Sequence, residues 1–203
     1  MKTLLTSLML ALICSTGLLA QGIDFGVKAG ANIANQKISG DYDIDTKAIV
    51  SFHGGVFVVW MFTEQLGLQP ELLLSMQGSK EKDATYDYKI NTNYVNIPVL
   101  VRYNINDMFS VHAGPQFGIL VSAKEEFDGD KDDIKDDFKT MDVGLAIGAE
   151  ANLPVANLGV GLRYIIGLTN VLSEDGSFDD TELKNGVFQI YVTYTIVRRS
   201  DKK

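Results

Sequence analysis

The chain has 203 residues, with 18 basic and 26 acidic side chains, a formal net charge of −8 and a single cysteine. That acidity excludes nucleic acid as a partner, because phosphate binding needs clustered cations. Beyond the first twenty residues the longest apolar run is Val56 to Phe62, seven residues. This is too short for a transmembrane helix, so any membrane role must fall to strands.

Residues 1–20 read as a secretory leader: Lys2 gives a basic start, Leu4 to Ile13 an apolar run, and Gly17-Leu18-Leu19-Ala20 a small-residue cleavage site before Gln21. Thr6 and Ser7 interrupt the run, which is too short for a signal anchor. A lipoprotein would carry a small residue before Cys14, where Ile13 stands. Cleavage after Ala20 leaves 183 residues with 17 basic and 26 acidic side chains, a charge of −9. With Cys14 gone, disulfides and thiolate metal sites are excluded. The remainder divides into one domain over 21–197 and a basic tail over 198–203.

Period-2 patterning predicts eight strands, at about 23–34, 49–62, 66–79, 90–104, 107–123, 139–153, 157–169 and 186–197. The sixth places Met141, Val143, Leu145, Ile147, Ala149 and Ala151 on one face. The seventh does the same with Leu158, Val160, Leu162, Tyr164, Ile166 and Leu168 against Gly159, Gly161, Arg163 and Gly167. The eighth sets Phe188, Ile190, Val192, Tyr194 and Ile196 opposite Gln189, Tyr191, Thr193 and Thr195. An even number of half-apolar strands fits an antiparallel up-and-down transmembrane β-barrel. Ten residues at about 3.3 Å rise and roughly 45° tilt cross the ~25 Å hydrocarbon band of an outer membrane.

A soluble lipocalin-like barrel would share the period but turn its apolar face inward. The polar faces argue against that allocation. They carry Lys28, Glu71, Arg102, Glu150 and Arg163 near strand middles together with many glycines, and small residues suit a narrow, crowded lumen. The five charges are therefore expected to form an interior network. An eight-stranded barrel is only wide enough for its own side chains to fill, so the expectation is a plugged lumen and no general diffusion channel.

The connections alternate. Short ones fall at Thr63 to Gln65, Asn104 to Asp107 and Leu153 to Asn157; long ones run from Asn35 to Ala48, Lys80 to Lys89, Lys124 to Lys139 and Asn170 to Asn185. Outer-membrane barrels keep tight turns on the periplasmic side and long loops outside, which places both chain ends in the periplasm. Phe25, Trp60, Phe62, Tyr103, Phe109 and Tyr194 gather near the short-turn ends and form a candidate aromatic girdle.

The runs Gly26-Val27-Lys28-Ala29-Gly30-Ala31-Asn32, Leu68-Gln69-Pro70-Glu71-Leu72-Leu73, Tyr94-Val95-Asn96-Ile97-Pro98-Val99-Leu100, Ala113-Gly114-Pro115-Gln116-Phe117-Gly118 and Gly161-Leu162-Arg163-Tyr164 resemble motifs of the outer-membrane β-barrel domain proteins of Bacteroidetes, often labelled porin family or PorT-like. The resemblance spans essentially the whole mature chain. It implies the barrel fold and the outer membrane, with outer-membrane lipid and the barrel-assembly machinery as partners. Members related to PorT are implicated in type IX secretion, which adds envelope or secretion proteins to the implied partners. Many outer-membrane proteins end on an aromatic residue; this chain continues through Arg198, Arg199, Ser200, Asp201, Lys202 and Lys203.

Pro70, Pro98 and Pro115 fall inside predicted strands, where each removes a ladder donor; bulges or irregularities are expected there. Ser110 and His112 share a strand face and, with Glu71 or Glu150, make the best candidate for a hydrolytic triad. An interior polar pair is the simpler reading, as it is for His53, because spacing on one strand does not make a triad. The Lys124 to Lys139 segment holds Glu125, Glu126, Asp128, Asp130, Asp132, Asp133, Asp136 and Asp137. An EF-hand reading fails, since Asp133 stands where the glycine belongs and Lys139 where the closing glutamate belongs. That segment, like Asp41, Asp43 and Asp45, is expected to be a solvated, mobile loop. No catalytic, cofactor or metal role is assigned, and the expected function is structural or interactive, through acidic outer loops.

Overall fold

Strands with one apolar and one polar face can bury or solvate each face, but they leave unpaired backbone at the two edges of a sheet unless the sheet closes on itself. This sheet closes. The computed structural model describes residues 23–39, 47–82, 87–127, 130–153, 156–173 and 182–198. They form β1 (Ile23–Ser39), β2 (Lys47–Met61), β3 (Leu66–Lys82), β4 (Asp87–Asn104), β5 (Phe109–Phe127), β6 (Asp130–Asp133), β7 (Met141–Leu153), β8 (Leu158–Gly167) and β9 (Glu182–Val197). The order β4-β3-β2-β1-β9-β8-β7-β5, with β4 also paired to β5, is a complete ring of eight antiparallel strands. The short β6 lies outside the ring, hairpinned onto the end of β5 from Lys124↔Asp133 to Phe127↔Asp130. The leader, and the tail beyond Arg198, lie outside the described residues.

The alternation sorts as the sequence requires. Val50, Phe52, Leu74, Val101, Val160, Leu162, Ile190 and Val192 point away from the barrel, with Val50 as much as 72% exposed. The inward set carries the polar groups, with Lys28, Asn32, His53, Gln69, Glu71, Asn96, Arg102, Glu150, Arg163 and Gln189 all buried, beside an apolar layer of Ala34, Ile49, Leu100, Ala146, Ile165 and Val187. A barrel with its apolar side chains outside and its charges inside is inverted relative to a water-soluble fold, and it is stable only where lipid covers the exterior.

The strands outrun their predicted ends on the long-connection side. Pairing continues to Lys82↔Asp87 between β3 and β4, to Tyr88↔Phe127 between β4 and β5, and to Ser39↔Glu182 between β1 and β9. At about 3.3 Å per residue and roughly 45° tilt, a strand the length of β5 rises about 44 Å, well past a ~25 Å hydrocarbon band. Much of what composition marks as loop is thus protruding ladder.

The wall is uneven, since β7 and β8 stop short. Beyond their ends the chain segments 138–140 and 171–173 fill the gap between β5 and β9. Leu120 N donates to Thr140 O, Lys139 N to Val171 O and Val171 N to Leu183 O, at 2.8, 2.8 and 2.9 Å. Phe138 bridges Leu172, and Phe138 and Val171 pack with Tyr94, Leu120, Ala123 and Leu183. The expectation of a loop over Lys124 to Lys139 is therefore corrected in its described part, while the charged side chains of β6 and the following turn stay exposed. That part forms β6 and a 3-10 turn, Lys135–Asp137, because Ile134 and Phe138, set among the charges, have an apolar cluster to join.

The prolines bring the expected irregularity but no bulge. None coincides with a register shift. Pairing lapses on one side of each, toward β2 at Pro70, toward β3 at Pro98 and toward β4 at Pro115, then resumes in the same register, while the opposite edge stays paired. Each proline thus loses bonds only on its N-side edge, and the closed ring holds the register. True shifts lie at Phe25/Gly26, Ala48/His53 and Asn93/Tyr94. The second spans Gly78 on β3, whose φ of 137° is a conformation reserved for glycine.

Candidate functional site in the barrel lumen

Interior charges on a narrow barrel must find each other, since an isolated ion away from water is costly. All five predicted interior charges are buried, and they form two groups. At mid-depth, Glu71 on β3 accepts from Lys28 on β1 at 3.0 and 3.1 Å and from Arg163 on β8 at 2.7 and 2.8 Å. All three side chains have zero exposure. Nearer the short turns, Arg102 on β4 bonds Glu150 on β7 at 2.9 Å, Gln69 at 2.8 Å and Asn104 at 3.1 Å. Asn152 completes that group, its amide oxygen accepting from Arg102 and its nitrogen donating to Glu150, both at 3.1 Å. Gln69 Nε2 donates to Glu71 at 2.7 Å and so links the two groups.

Tyr191 on β9 is the residue that sequence reasoning passed over. Lys28 Nζ lies 3.8 Å from its ring centroid, and the Arg163 guanidinium stands at 5.5 Å, so its π face shares the cationic load. The signal was present: Tyr191 alternates with Gln189 and Thr193 on the inward face. Its ring lies directly against Gly161, where any Cβ would collide with the phenol. Gly148 stands in the same relation to the His112 ring. Gly161 and Gly148 are thus the counterparts of two large inward side chains.

The histidines serve this packing. His53 Nδ1 bonds Asn32 Oδ1 at 2.7 Å, and Asn32 in turn reaches Ser75, Met76 O and Gln189. His112 Nε2 accepts from Arg163 Nε at 3.2 Å, while Ser110 Oγ is directed at the Glu150 carbonyl at 3.5 Å. Ser110 and His112 thus face the same way yet engage different partners, and the triad candidate is not assembled. Higher up, Asp142 accepts from Thr169 and Asn185 at 2.7 and 2.8 Å, and Gln36 ties Ser79 to Asn185. Among the described residues no three His, Cys, Asp or Glu side chains converge to hold a metal.

Outside, the predicted girdle residues Trp60, Phe62, Tyr103, Phe109 and Tyr194 are each 43–54% exposed at the short-turn end, and Phe25 is half-buried among them. Trp60 and Phe62 meet edge to face with centroids 5.0 Å apart. Below the lumen network the same end opens into a vestibule of about 500 Å³ with Arg102 and Glu150 in its lining.

A closed eight-stranded ring with an apolar exterior and a polar, filled interior is a transmembrane β-barrel of the outer-membrane class. The chain belongs to the outer membrane protein beta-barrel domain family, whose model matches residues 19–173, and its place is accordingly the lipid of the outer membrane. Among solved structures it is similar to Neisserial surface protein A, at 13% identity over 85% of this chain and 97% of that one, with a TM-score of 0.50. Ail, the attachment invasion locus protein of Yersinia pestis, matches at 15% identity over 84% of this chain and 98% of that one, TM-score 0.45. The outer membrane protein AlkL matches at 10% identity over 88% and 93%, TM-score 0.39. The likeness to the neisserial protein is one of fold. No curated protein matches the sequence.

Proposed function

We propose that this protein is a non-enzymatic, closed-lumen component of the cell envelope that acts through its projecting, acid-rich outer hairpins. One observation carries the reading: the Lys28–Glu71–Arg163 cluster occupies the middle of the lumen with no exposed side-chain surface. Opening a solute path there would strip two cations of their shared carboxylate, which costs several kcal/mol. The outer hairpins supply the remaining surface for function. Glu125, Glu126, Asp130, Asp132 and Asp133 crowd the β5–β6 hairpin, with Lys131 and Glu126 paired at 3.6 Å.

In this reading the chain is exported by the leader over residues 1–20, both ends face the periplasm, and the short turns lie on that side. The motif runs from Gly26 to Asn32 and from Leu68 to Leu73 support a place among the porin-family or PorT-like barrels of Bacteroidetes. The deciding measurement is planar-bilayer recording of purified protein. No large, stable conductance is expected, and persistent nanosiemens steps would overturn the closed-lumen reading. Crosslinking in intact cells then separates two roles. Recovery with surface or envelope proteins supports a scaffold, and recovery with a type IX secretion complex supports a PorT-like role. Unchanged lipid A mass spectra on gene deletion are expected of a non-enzyme.

A further inference from the structure

On one side of the ring, the strand ends at the long connections carry lysines in register. Lys47 on β2 stands directly opposite Lys80 on β3, and Lys80 directly opposite Lys89 on β4. Beyond β2, Lys37 on β1 stands opposite Lys184 on β9. The ring order β4-β3-β2-β1-β9 makes these residues one row along adjoining strands. Lys37, Lys47, Lys80 and Lys89 are exposed. Their chain neighbours turn the other way: Gln36 and Ser79 are buried, and Ile90 packs inward against the Tyr94 cluster. The lysines therefore point out of the barrel wall.

Directly opposed side chains on an antiparallel ladder have Cβ atoms about 4.5–5.5 Å apart, and like charges placed so repel. Lys80 has such a neighbour on both sides. Among the described residues no carboxylate pairs with Lys37, Lys47, Lys80 or Lys89. At the ends of the row, Lys184 is held by Glu182 at 2.7 Å, and Glu126, opposite Lys89, is held by Lys131 at 3.6 Å.

The row stands just above the lipid-covered surface. Ile33, Val50 and Met76 are the last large apolar residues facing outward below it on β1, β2 and β3, each three or four residues from the lysine of its strand. At about 3.3 Å per residue and roughly 45° tilt, that separation is about 7–9 Å. A headgroup layer is about 5–8 Å deep on each side of the hydrocarbon, so flexible lysine stems reach it readily. A phosphate carried on lipid lies at this depth and meets side chains that face sideways. It also accepts from more than one ammonium group and so offsets their repulsion. We propose that the Lys47–Lys80–Lys89 row, extended by Lys37, binds the phosphate groups of a lipid in the leaflet at the long-connection end.

The test is native mass spectrometry of the full chain released from mixed micelles of neutral detergent. The micelles contain either bisphosphorylated hexa-acyl lipid A or the same lipid freed of its phosphates. The phosphorylated lipid should be retained at about tenfold lower concentration, on the scale of a few lysines acting at a charged surface. Lys47→Gln, Lys80→Gln and Lys89→Gln together should remove that preference. Lys135→Gln with Lys202→Gln and Lys203→Gln removes the same charge elsewhere and should shift retention by less than about twofold. Because the row repels itself, the first triple variant should melt no lower than the parent in neutral detergent.

Equal retention of the two lipids would mean that carboxylates outside the described residues already neutralise the row, and would overturn the proposal. Displacement of the lipid by millimolar inorganic phosphate would do so by assigning the row to a soluble anion. An equal loss in the control variant, or a lower melting midpoint in the first, would do so by showing a non-specific or a structural role. None of these outcomes depends on which end faces outward or on whether the lumen conducts, so they fail separately from the closed-lumen reading.

Discussion

Arg163 holds Glu71 through both terminal guanidinium nitrogens, at 2.8 and 2.7 Å, from 92 residues away in sequence. The fork places a strand-β8 cation on a strand-β3 carboxylate across the barrel axis, and Lys28 adds a third charge from β1 at 3.0 Å. Three strands that are not all neighbours in the ring are thereby pinned together. Such a pairing is weak evidence for net stability over an apolar substitute, but breaking it from one side is severe. Glu71→Gln strands two fully buried cations and should lower the free energy of unfolding by about 3–5 kcal/mol. Urea-driven folding into phosphatidylcholine vesicles measures it. The triple replacement Lys28→Met, Glu71→Leu, Arg163→Met should lose far less than the single one. A single variant as stable as the parent would mean that the charges do not face one another.

A steric prediction concerns Gly161 and Tyr191. Gly161→Ala drives a methyl into the phenol ring, and overpacking of this kind costs about 1–3 kcal/mol. Shortening the ring partner should relieve it. In a double-mutant cycle with Tyr191→Leu, the two losses should combine to less than their sum, with a coupling of about 1 kcal/mol. Strict additivity would show that the glycine serves the backbone and not the ring.

The sequence made the faces legible and left the partnerships dark. Alternation placed Lys28, Glu71, Arg102, Glu150 and Arg163 inside because side-chain direction on a strand has a period of two and needs no tertiary knowledge. Which cation meets which carboxylate depends on the stagger of the closed ring and on side-chain reach, and neither is written locally. Glu71 therefore takes Lys28 and Arg163 while Glu150 takes Arg102, a division no spacing foretells. The same limit explains Phe138. One apolar residue among aspartates reads as loop until Tyr94, Leu120 and Val171, distant in sequence, are seen to surround it. The strand end past Ala123, where Lys124 to Phe127 are exposed or half-buried, was hidden for another reason. Where both faces of a ladder meet water, the apolar alternation that marks a strand disappears.

The cap at the long-connection end should open independently of the barrel. Phe138 ties the segment after β6 to Val171 and Leu183, while the ring is closed by backbone pairing elsewhere. Phe138→Ala should therefore leave the unfolding midpoint in detergent almost unchanged and loosen the cap locally. Limited digestion with a lysine-specific protease reads this directly. Cleavage at Lys131, Lys135 or Lys139 should rise about tenfold or more, as expected when an opening free energy falls by more than 1.4 kcal/mol. A parallel fall in the global midpoint, or unchanged cleavage, would contradict a separable cap.

The exterior prediction rests on the single tryptophan of the chain. Trp60 is 49% exposed, sits opposite Ile23 and Leu68 in the ladder, and stacks edge to face on Phe62. Its neighbours around the ring at this level, Tyr103, Phe109 and Tyr194, also point outward. An indole combines an apolar body with one N–H donor, so it settles where hydrocarbon meets headgroup. In vesicles of brominated phosphatidylcholine, bromines near the glycerol end of the acyl chain should quench Trp60 more strongly than bromines near the methyl end. Stronger deep quenching would place the short-turn end within the hydrocarbon and displace the girdle. No quenching at any depth would mean that lipid does not cover this face, and the soluble-barrel allocation of inside and outside would return.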